Sequence, residues 1–551
     1  MKKIVAMAMS CVLMALLTVP AWAAEGEFTD LPAEGWARDA ILAADAQGLM
    51  GGMGDGTFGV GRTMSRGEFV TVLSRMFGLT ASGAADAFSD ISGSWARDAI
   101  NACAQAGVFG VADGGERFSP DQPITRREMA VWLVRALGLG GVAERGQDLS
   151  LPFTDVGADR GYIAVAYDIG MTTGVGPNTF APEATATREQ VAAMLTRING
   201  KYTASTAFTH AFYAISSYSQ LELAKTFDAV SLGWSRMELT DGGVRLNTTT
   251  DNGNVYAVPA GYEEAVTALR DAGVKLHLSV YMDTSGGLND LLADPALRTA
   301  AVDAIMAELT VPYRQLGDNP YTGVTIDFEG LRAARREDYT SFLRELRARL
   351  AGEGLTLYGA VMPATADGVY YDGYDFRAIG ELADKVILMA HDFSPRSMEG
   401  FVGTTYHRTA ALTPVDAVYY ALRMACDPHT GVGDPSKLVL AVSCTGTAWQ
   451  LDSSGKLAGS TPFHPDMATI YRRLTGGGEM GWSETYHNPY LEYDDGQDGR
   501  IFLWYEDQRS VGEKVALAKL FGMGGVSLWR LGNIPNYPDS GLYFDVMAGI
   551  R

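Results

Sequence analysis

Two periodicities divide the chain. Over residues 28–198 apolar residues recur at helical spacing in short runs broken by glycine-rich loops. Beyond residue 206, short apolar runs alternate with longer helical patterns. The runs at 210–215, 229–234, 275–282, Gly323–Glu329, 355–362, 385–391, 437–444 and 524–529 predict strands, and 262–272, 295–309, 336–351 and 510–521 predict helices. Gly323–Glu329 shows the period of a strand most clearly. Val324, Ile326 and Phe328 share one face, and Thr325, Asp327 and Glu329 share the other. Those two carboxyls stand about 6–7 Å apart along the strand axis, at the end of an apolar run where a charge is costly unless it has a use. Eight strands with helices between them predict a parallel (β/α)8 barrel, whose chemistry lies at the C-terminal ends of its strands. A doubly wound open sheet is the competing topology, but no Gly-rich phosphate loop follows the first strand.

The helical region repeats itself. Residues 28–78 carry Phe28-Thr-Asp30, Trp36-Ala-Arg-Asp-Ala-Ile41 and Ser65-Arg66-Gly67-Glu68. Residues 88–138 carry Phe88-Ser-Asp90, Trp95-Ala-Arg-Asp-Ala-Ile100 and Thr125-Arg126-Arg127-Glu128. Residues 153–198 carry Phe153-Thr-Asp155, Tyr162-Ile163-Ala164 and Thr187-Arg188-Glu189. The Ser or Thr before each arginine is placed to cap the second helix of its unit. The three units resemble S-layer homology domains. That resemblance implies an all-α pseudo-trimer that binds pyruvylated secondary cell-wall polymer, with Arg66, Arg126 and Arg188 as ligands for the anionic ketal. The competing reading has these arginines only cap helices or pair with nearby glutamates. The polar stretch 199–206 is expected to be a linker to the barrel, 207–551.

Charge and the N-terminus narrow the setting. Residues 1–23 read as a secretory signal: Lys2 and Lys3, an apolar stretch, then Ala21-Trp22-Ala23 as the cleavage site. Its removal takes the formal charge from −21 to −23. An exported chain this acidic is not expected to bind nucleic acid or anionic lipid, and no later segment is long and apolar enough to hold a membrane. Cys103, Cys426 and Cys444 make no disulfide framework. The seven histidines are scattered without a metal-binding motif, so no metal and no cofactor are expected.

The barrel region resembles glycoside hydrolase family 18, the chitinase-like fold, and within it the branch that includes spore-cortex N-acetylglucosaminidases. The family signature Asp-Gly-x-Asp-x-Asp-x-Glu falls on Thr322-Gly323-Val324-Thr325-Ile326-Asp327-Phe328-Glu329, with threonines at its first two acids. Met389-Ala-His391-Asp392 matches Met-x-Tyr-Asp, and Gly524-Gly-Val-Ser-Leu-Trp529 matches the tryptophan-bearing last strand. The resemblance implies retaining hydrolysis in which the substrate's own 2-acetamido oxygen attacks the anomeric carbon. Glu329 would serve as general acid and then base, and Asp327 would orient the acetamido group and stabilise the cation. His391 would replace a tyrosine that donates to the acetamido oxygen. Trp529 is expected to floor the sugar site, with Tyr281, Met389 and Trp449 as walls and Asp392, Thr325 and Glu506 as further substrate contacts. Thr325 keeps a hydroxyl that can bond Asp327. The irregular stretch 446–500 is expected to cover one side of the cleft. The expected protein is therefore a secreted, wall-tethered glycosidase acting on β-linked N-acetylglucosamine in peptidoglycan, with chitin as the lesser substrate. The alternatives are a carbohydrate-binding surface protein with impaired catalysis, and a structural spacer.

Overall fold

The computed structural model describes residues 28–550 except 84, 112–114, 242, 367–371, 497–498 and 538–540; the expected signal 1–23 lies outside the described residues. In the N-terminal region each repeat's second helix, Arg66–Met76, Arg126–Ala136 or Arg188–Tyr202, opens on a capping box built from Ser65 and Glu68, Thr125 and Glu128, or Thr187 and Gln190. The caps also close the trimer: backbone bridges join Thr63 to Thr187, Ser65 to Pro123 and Thr125 to Thr185. Each Phe-x-Asp motif locks its own loop. Asp30 accepts the N–H groups of Phe58, Gly59 and Val60, Asp90 those of Phe118 and Ser119, and Asp155 those of Phe180 and Ala181. The equivalent residues Gly59, Ser119 and Ala181 all take positive φ, so only the first repeat meets this turn with the residue that adopts it freely.

The barrel is closed and parallel. Its strands are β1 (Phe208–Tyr213), β2 (Ala229–Thr240), β4 (Lys275–Asp283), β5 (Gly323–Glu329), β6 (Thr356–Val361), β7 (Lys385–Leu388), β8 (Leu438–Ser443) and β13 (Gly525–Trp529), with β1 pairing both β2 and β13. The open-sheet alternative is thereby excluded. β3 (Gly243–Asn247) pairs antiparallel with the extended end of β2, making a hairpin beyond the barrel rim. Alternation along β5 sends Phe328 against Phe342 of the helix Arg336–Gly352, ring centroids 5.2 Å apart. Burying Val324, Ile326 and Phe328 fully contributes about 1.5–3 kcal/mol each. That outward packing obliges Thr325, Asp327 and Glu329 to face the lumen.

Two sequence expectations fail here. The stretch 446–500 is not irregular: β9 (Gly446–Leu451), β10 (Glu479–Ser483) and β11 (Asn488–Asp494) join β12 (Arg500–Tyr505) in an antiparallel sheet, with the helix Met467–Thr475 between β9 and β10. Its partner β12 is a continuous apolar run, but proline and asparagine at the start of β11 and the glycines around it read locally as turns. The linker 199–206 is also shorter than expected, because helix Arg188–Tyr202 runs into it. Lys201 Nζ donates to the carbonyl of Leu520 in the barrel, and Asp168 accepts from Tyr419 and Arg423. The helical module therefore docks on the barrel flank through charged and hydroxyl contacts, which a polar composition disguises as linker.

Candidate active site

Glu329 ends β5, the fourth strand of the barrel, and the parallel register sets it beside Asp283 of β4, with Asp327 beside Tyr281. Asp327 is 3% exposed, and its Oδ1 has no hydrogen-bond partner among the described residues. Burial, then the charge of Glu329, pushes the Asp327 carboxyl well above the usual range. Burial raises Glu329 as well; His391 and Arg396 oppose that rise and Asp283 adds to it. Two buried carboxyls one pleat apart cannot both ionise cheaply, so the pair holds a proton to higher pH than either carboxyl would alone. Among the described residues the nearby arginines are engaged elsewhere: Arg332 bonds Asp372, Arg335 bonds Asp338, and Arg336 donates to the Asp372 carbonyl.

The loop after β7 brings in the next groups. His391 Nδ1 lies 3.1 Å from Asp392 Oδ2, and Asp392 Oδ1 accepts from Thr445 Oγ1 at 2.9 Å. Burial acts to raise the Asp392 carboxyl, but His391 and these hydrogen bonds hold it below the usual range. With Nδ1–H spent on Asp392, only a doubly protonated ring can donate from Nε2. Trp529 is half-buried and packs edge-on against Phe212, centroids 5.1 Å apart. Met389 is 7% exposed inside the barrel in the same apolar cluster. Tyr281 donates to Asp283 at 2.8 Å and stacks on Tyr256, a residue of the segment after β3, at 4.8 Å. A narrow pocket of about 20 Å³ is lined by Tyr256, Tyr281, Asp327, Trp529 and Arg530, among others. Tyr281 also borders a cleft of about 340 Å³ along the β2–β3 hairpin. An indole face beside such polar groups is the kind of surface on which a sugar ring stacks.

Three sequence assignments change. Thr325 is fully buried, and its hydroxyl bonds Ser231 at 2.7 Å and His277 at 3.3 Å, leaving Asp327 untouched. It belongs to a neutral layer below the carboxyls in which His210 joins Ser231 and Ser527; burial pushes His210 and His277 down to about 3. Thr325 is thus a packing and positioning residue, not a substrate contact. Glu506 is 1% exposed, and both oxygens are taken: Lys514 Nζ at 2.9 and 2.8 Å, Asn488 Nδ2 at 2.8 Å and Ser510 Oγ at 2.6 Å. It has no lone pair turned to a sugar. Trp449 is fully buried in the core under the β9–β12 sheet and walls nothing. The sequence reading missed Asp283, Arg396, Arg530 and Tyr256. Only Asp283 had a local signal, since it ends a predicted strand next to Glu329.

The three repeat arginines are not equivalent. Arg66 meets Glu128 and the Phe118 carbonyl, and Arg188 meets Glu68 at 3.0 Å and the carbonyls of Phe58 and Gly51. The third repeat has Gln190 where its siblings have these glutamates. Among the described residues Arg126 accordingly bonds the Phe180 carbonyl and Thr172 Oγ1 and no carboxylate, in a groove of about 150 Å³ shared with Thr173, Gln190 and Arg197.

Comparison with known proteins agrees with this division. The family model for glycosyl hydrolases family 18 matches residues 186–533, and that for the S-layer homology domain matches 27–70, 87–130 and 152–192. The cortical fragment-lytic enzyme of Bacillus subtilis (strain 168) is 31% identical over 219 residues, which is 38% of this chain and 47% of that one. The cortical fragment-lytic enzyme of Bacillus anthracis is 27% identical over 214 residues, 38% of this chain and 46% of that one. The match thus spans about half the length of these relatives. Among solved structures, the C-terminal domain of a protein from Desulfitobacterium hafniense DCB-2 assigned as a chitinase aligns with a TM-score of 0.50 at 21% identity, covering 63% of this chain and all of that one. That likeness bears on the fold alone.

Proposed function

The chain belongs to glycosyl hydrolase family 18 and carries three S-layer homology domains, and from that premise we propose that it is a surface-tethered glycosidase that cleaves β-linked N-acetylglucosamine in peptidoglycan. One observation carries the reading: a buried Asp327 with a free carboxyl oxygen, one pleat from a Glu329 whose pKa is raised, at the mouth of the barrel. Glu329 protonates the glycosidic oxygen and then takes a proton from water. Asp327 accepts the acetamido N–H, turns the acetamido oxygen toward the anomeric carbon and balances the developing positive charge. Trp529 seats the sugar, and His391 donates to the acetamido oxygen. Cortical fragment-lytic relatives favour peptidoglycan over chitin as the glycan.

The pH profile follows from the same geometry. Glu329 must be protonated to begin the reaction, so kcat/KM falls as pH rises through its elevated pKa. Asp283 adds negative charge beside it, and Arg396 positive charge. Asp283→Asn is expected to move the alkaline limb to lower pH and Arg396→Gln to move it higher; a limb that both variants leave in place contradicts the assignment of Glu329.

The tether is read in the groove around Arg126, where, among the described residues, a guanidinium without a direct ion pair, though within the field of Asp155, shares the lining with two threonines and a second arginine. A pyruvylated secondary cell-wall polymer supplies the carboxylate that groove lacks. The test uses full-length Glu329→Gln protein, to prevent digestion, sedimented with native walls and with walls stripped of secondary polymer. It should pellet only with native walls, and adding Arg126→Gln should weaken binding about tenfold or more, with Arg66→Gln weakening it less. Equal pelleting on both walls would rule the tether out.

A further inference from the structure

Asp283, Asp327, Glu329 and Asp392 gather at the mouth of a chain whose formal charge is −21. A glycan carrying carboxylates is repelled from such a mouth unless a cation meets it. Arg530 is placed to do so. It follows Trp529 directly and lines the pocket that holds Asp327, Tyr256 and Tyr281. Its Nη1 donates to Ser216 Oγ in the loop after β1. Among the described residues it has no carboxylate partner, although many other arginines of the chain have one. A partly desolvated guanidinium with most of its N–H fork unspent is costly alone and binds a carboxylate through two hydrogen bonds.

Its place in the barrel says which part of the glycan it meets. Glu329 stands at the glycosidic oxygen on β5, and Arg530 lies across the mouth, where β13 pairs β1. In the reading above Trp529 seats the retained sugar, and Arg530 follows it directly and lines the same pocket, which puts Arg530 on the retained side. We propose that Arg530 is a specificity-determining residue that receives the free carboxylate of the 3-O-lactyl group on a muramyl unit stripped of its peptide, next to the retained N-acetylglucosamine. This rests on the reading above that the bond cut follows N-acetylglucosamine in an alternating glycan. Neutral chitin offers Arg530 nothing, so the residue separates the two substrates.

The test compares peptide-free peptidoglycan strands bearing free lactyl carboxylates with the same strands after their carboxylates are converted to methylamides. The wild type should show a higher kcat/KM on the acidic strands. Arg530→Gln should lower the acidic-to-neutral ratio of kcat/KM about tenfold or more, and Arg530→Lys should restore part of it. If Arg530→Gln lowers kcat/KM on both strands alike, the residue only holds the Ser216 loop and the inference is overturned. If the wild type cuts neither strand, the underlying cleavage reading falls, and this inference falls with it.

Discussion

Replacing Glu329 by glutamine lowers kcat on peptidoglycan about a thousandfold and leaves the glycan bound. Glutamine keeps the size and the hydrogen-bonding reach of the side chain but cannot release a proton to the glycosidic oxygen. The fold has little stake in the change, because Glu329 sits at the open end of β5 and Phe328 beside it supplies the packing. The loss therefore appears in kcat, with KM nearly unchanged, as expected when a group acts only in the transition state. Release of new reducing ends, measured beside sedimentation of the same protein with insoluble glycan, separates the two quantities. A variant that cuts like the wild type would remove Glu329 from the chemistry. A wild type that releases no more than the variant, while both bind, would leave a carbohydrate-binding protein.

Asp327→Asn is expected to cost about a hundredfold in kcat. An asparagine oxygen still accepts the acetamido N–H, yet it carries no charge to set against the cation that forms as the acetamido oxygen closes on the anomeric carbon. The low-dielectric surroundings make that charge worth more than in water. Because Oδ1 has no protein partner among the described residues, the substitution breaks no native hydrogen bond at that atom, and thermal stability should hold or rise slightly as an unpaired buried acid is removed. Loss of activity with unchanged or raised Tm is the expected pattern. A fall in Tm that parallels the loss would assign Asp327 a structural role.

Much of this was legible in the chain because each signal was local. β5 matches its predicted bounds, since an apolar run with period two and glycine at its start leaves little choice. The repeat arginines and their caps were legible because capping boxes are four-residue patterns. What the sequence hid depends on neighbours distant along the chain. Glu506 follows apolar β12, and nothing near it in sequence tells that Lys514 and Asn488 fill its oxygens. Thr325 occupies a lumen position that looks suited to reach Asp327, but residues on one strand face stand a full pleat apart, and Ser231 on another strand is nearer. Arg126 lacks its siblings' glutamate because the next repeat has Gln190 there, one turn inside its helix. In each case barrel closure or trimer closure decides the partner, and no single-strand periodicity encodes it.

The neutral layer beneath the carboxyls also explains how the site tolerates threonine where the family signature has an acid. His210 and His277 stay uncharged because they are buried, and Ser231, Thr325 and Ser527 satisfy their ring nitrogens or one another. No charge lies directly under Asp327, so its proton affinity is set by burial and by Glu329. The layer positions β5 without competing for that proton.

The most direct test of the account is the identity of the sugar left at the new reducing end. Purified peptidoglycan is digested with the wild type and reduced with borohydride, and the reduced sugar at each new end is identified by tandem mass spectrometry. The account predicts N-acetylglucosaminitol, accumulating with enzyme and absent with Glu329→Gln. N-acetylmuramitol, or no reduced amino sugar above the Glu329→Gln control, would contradict it.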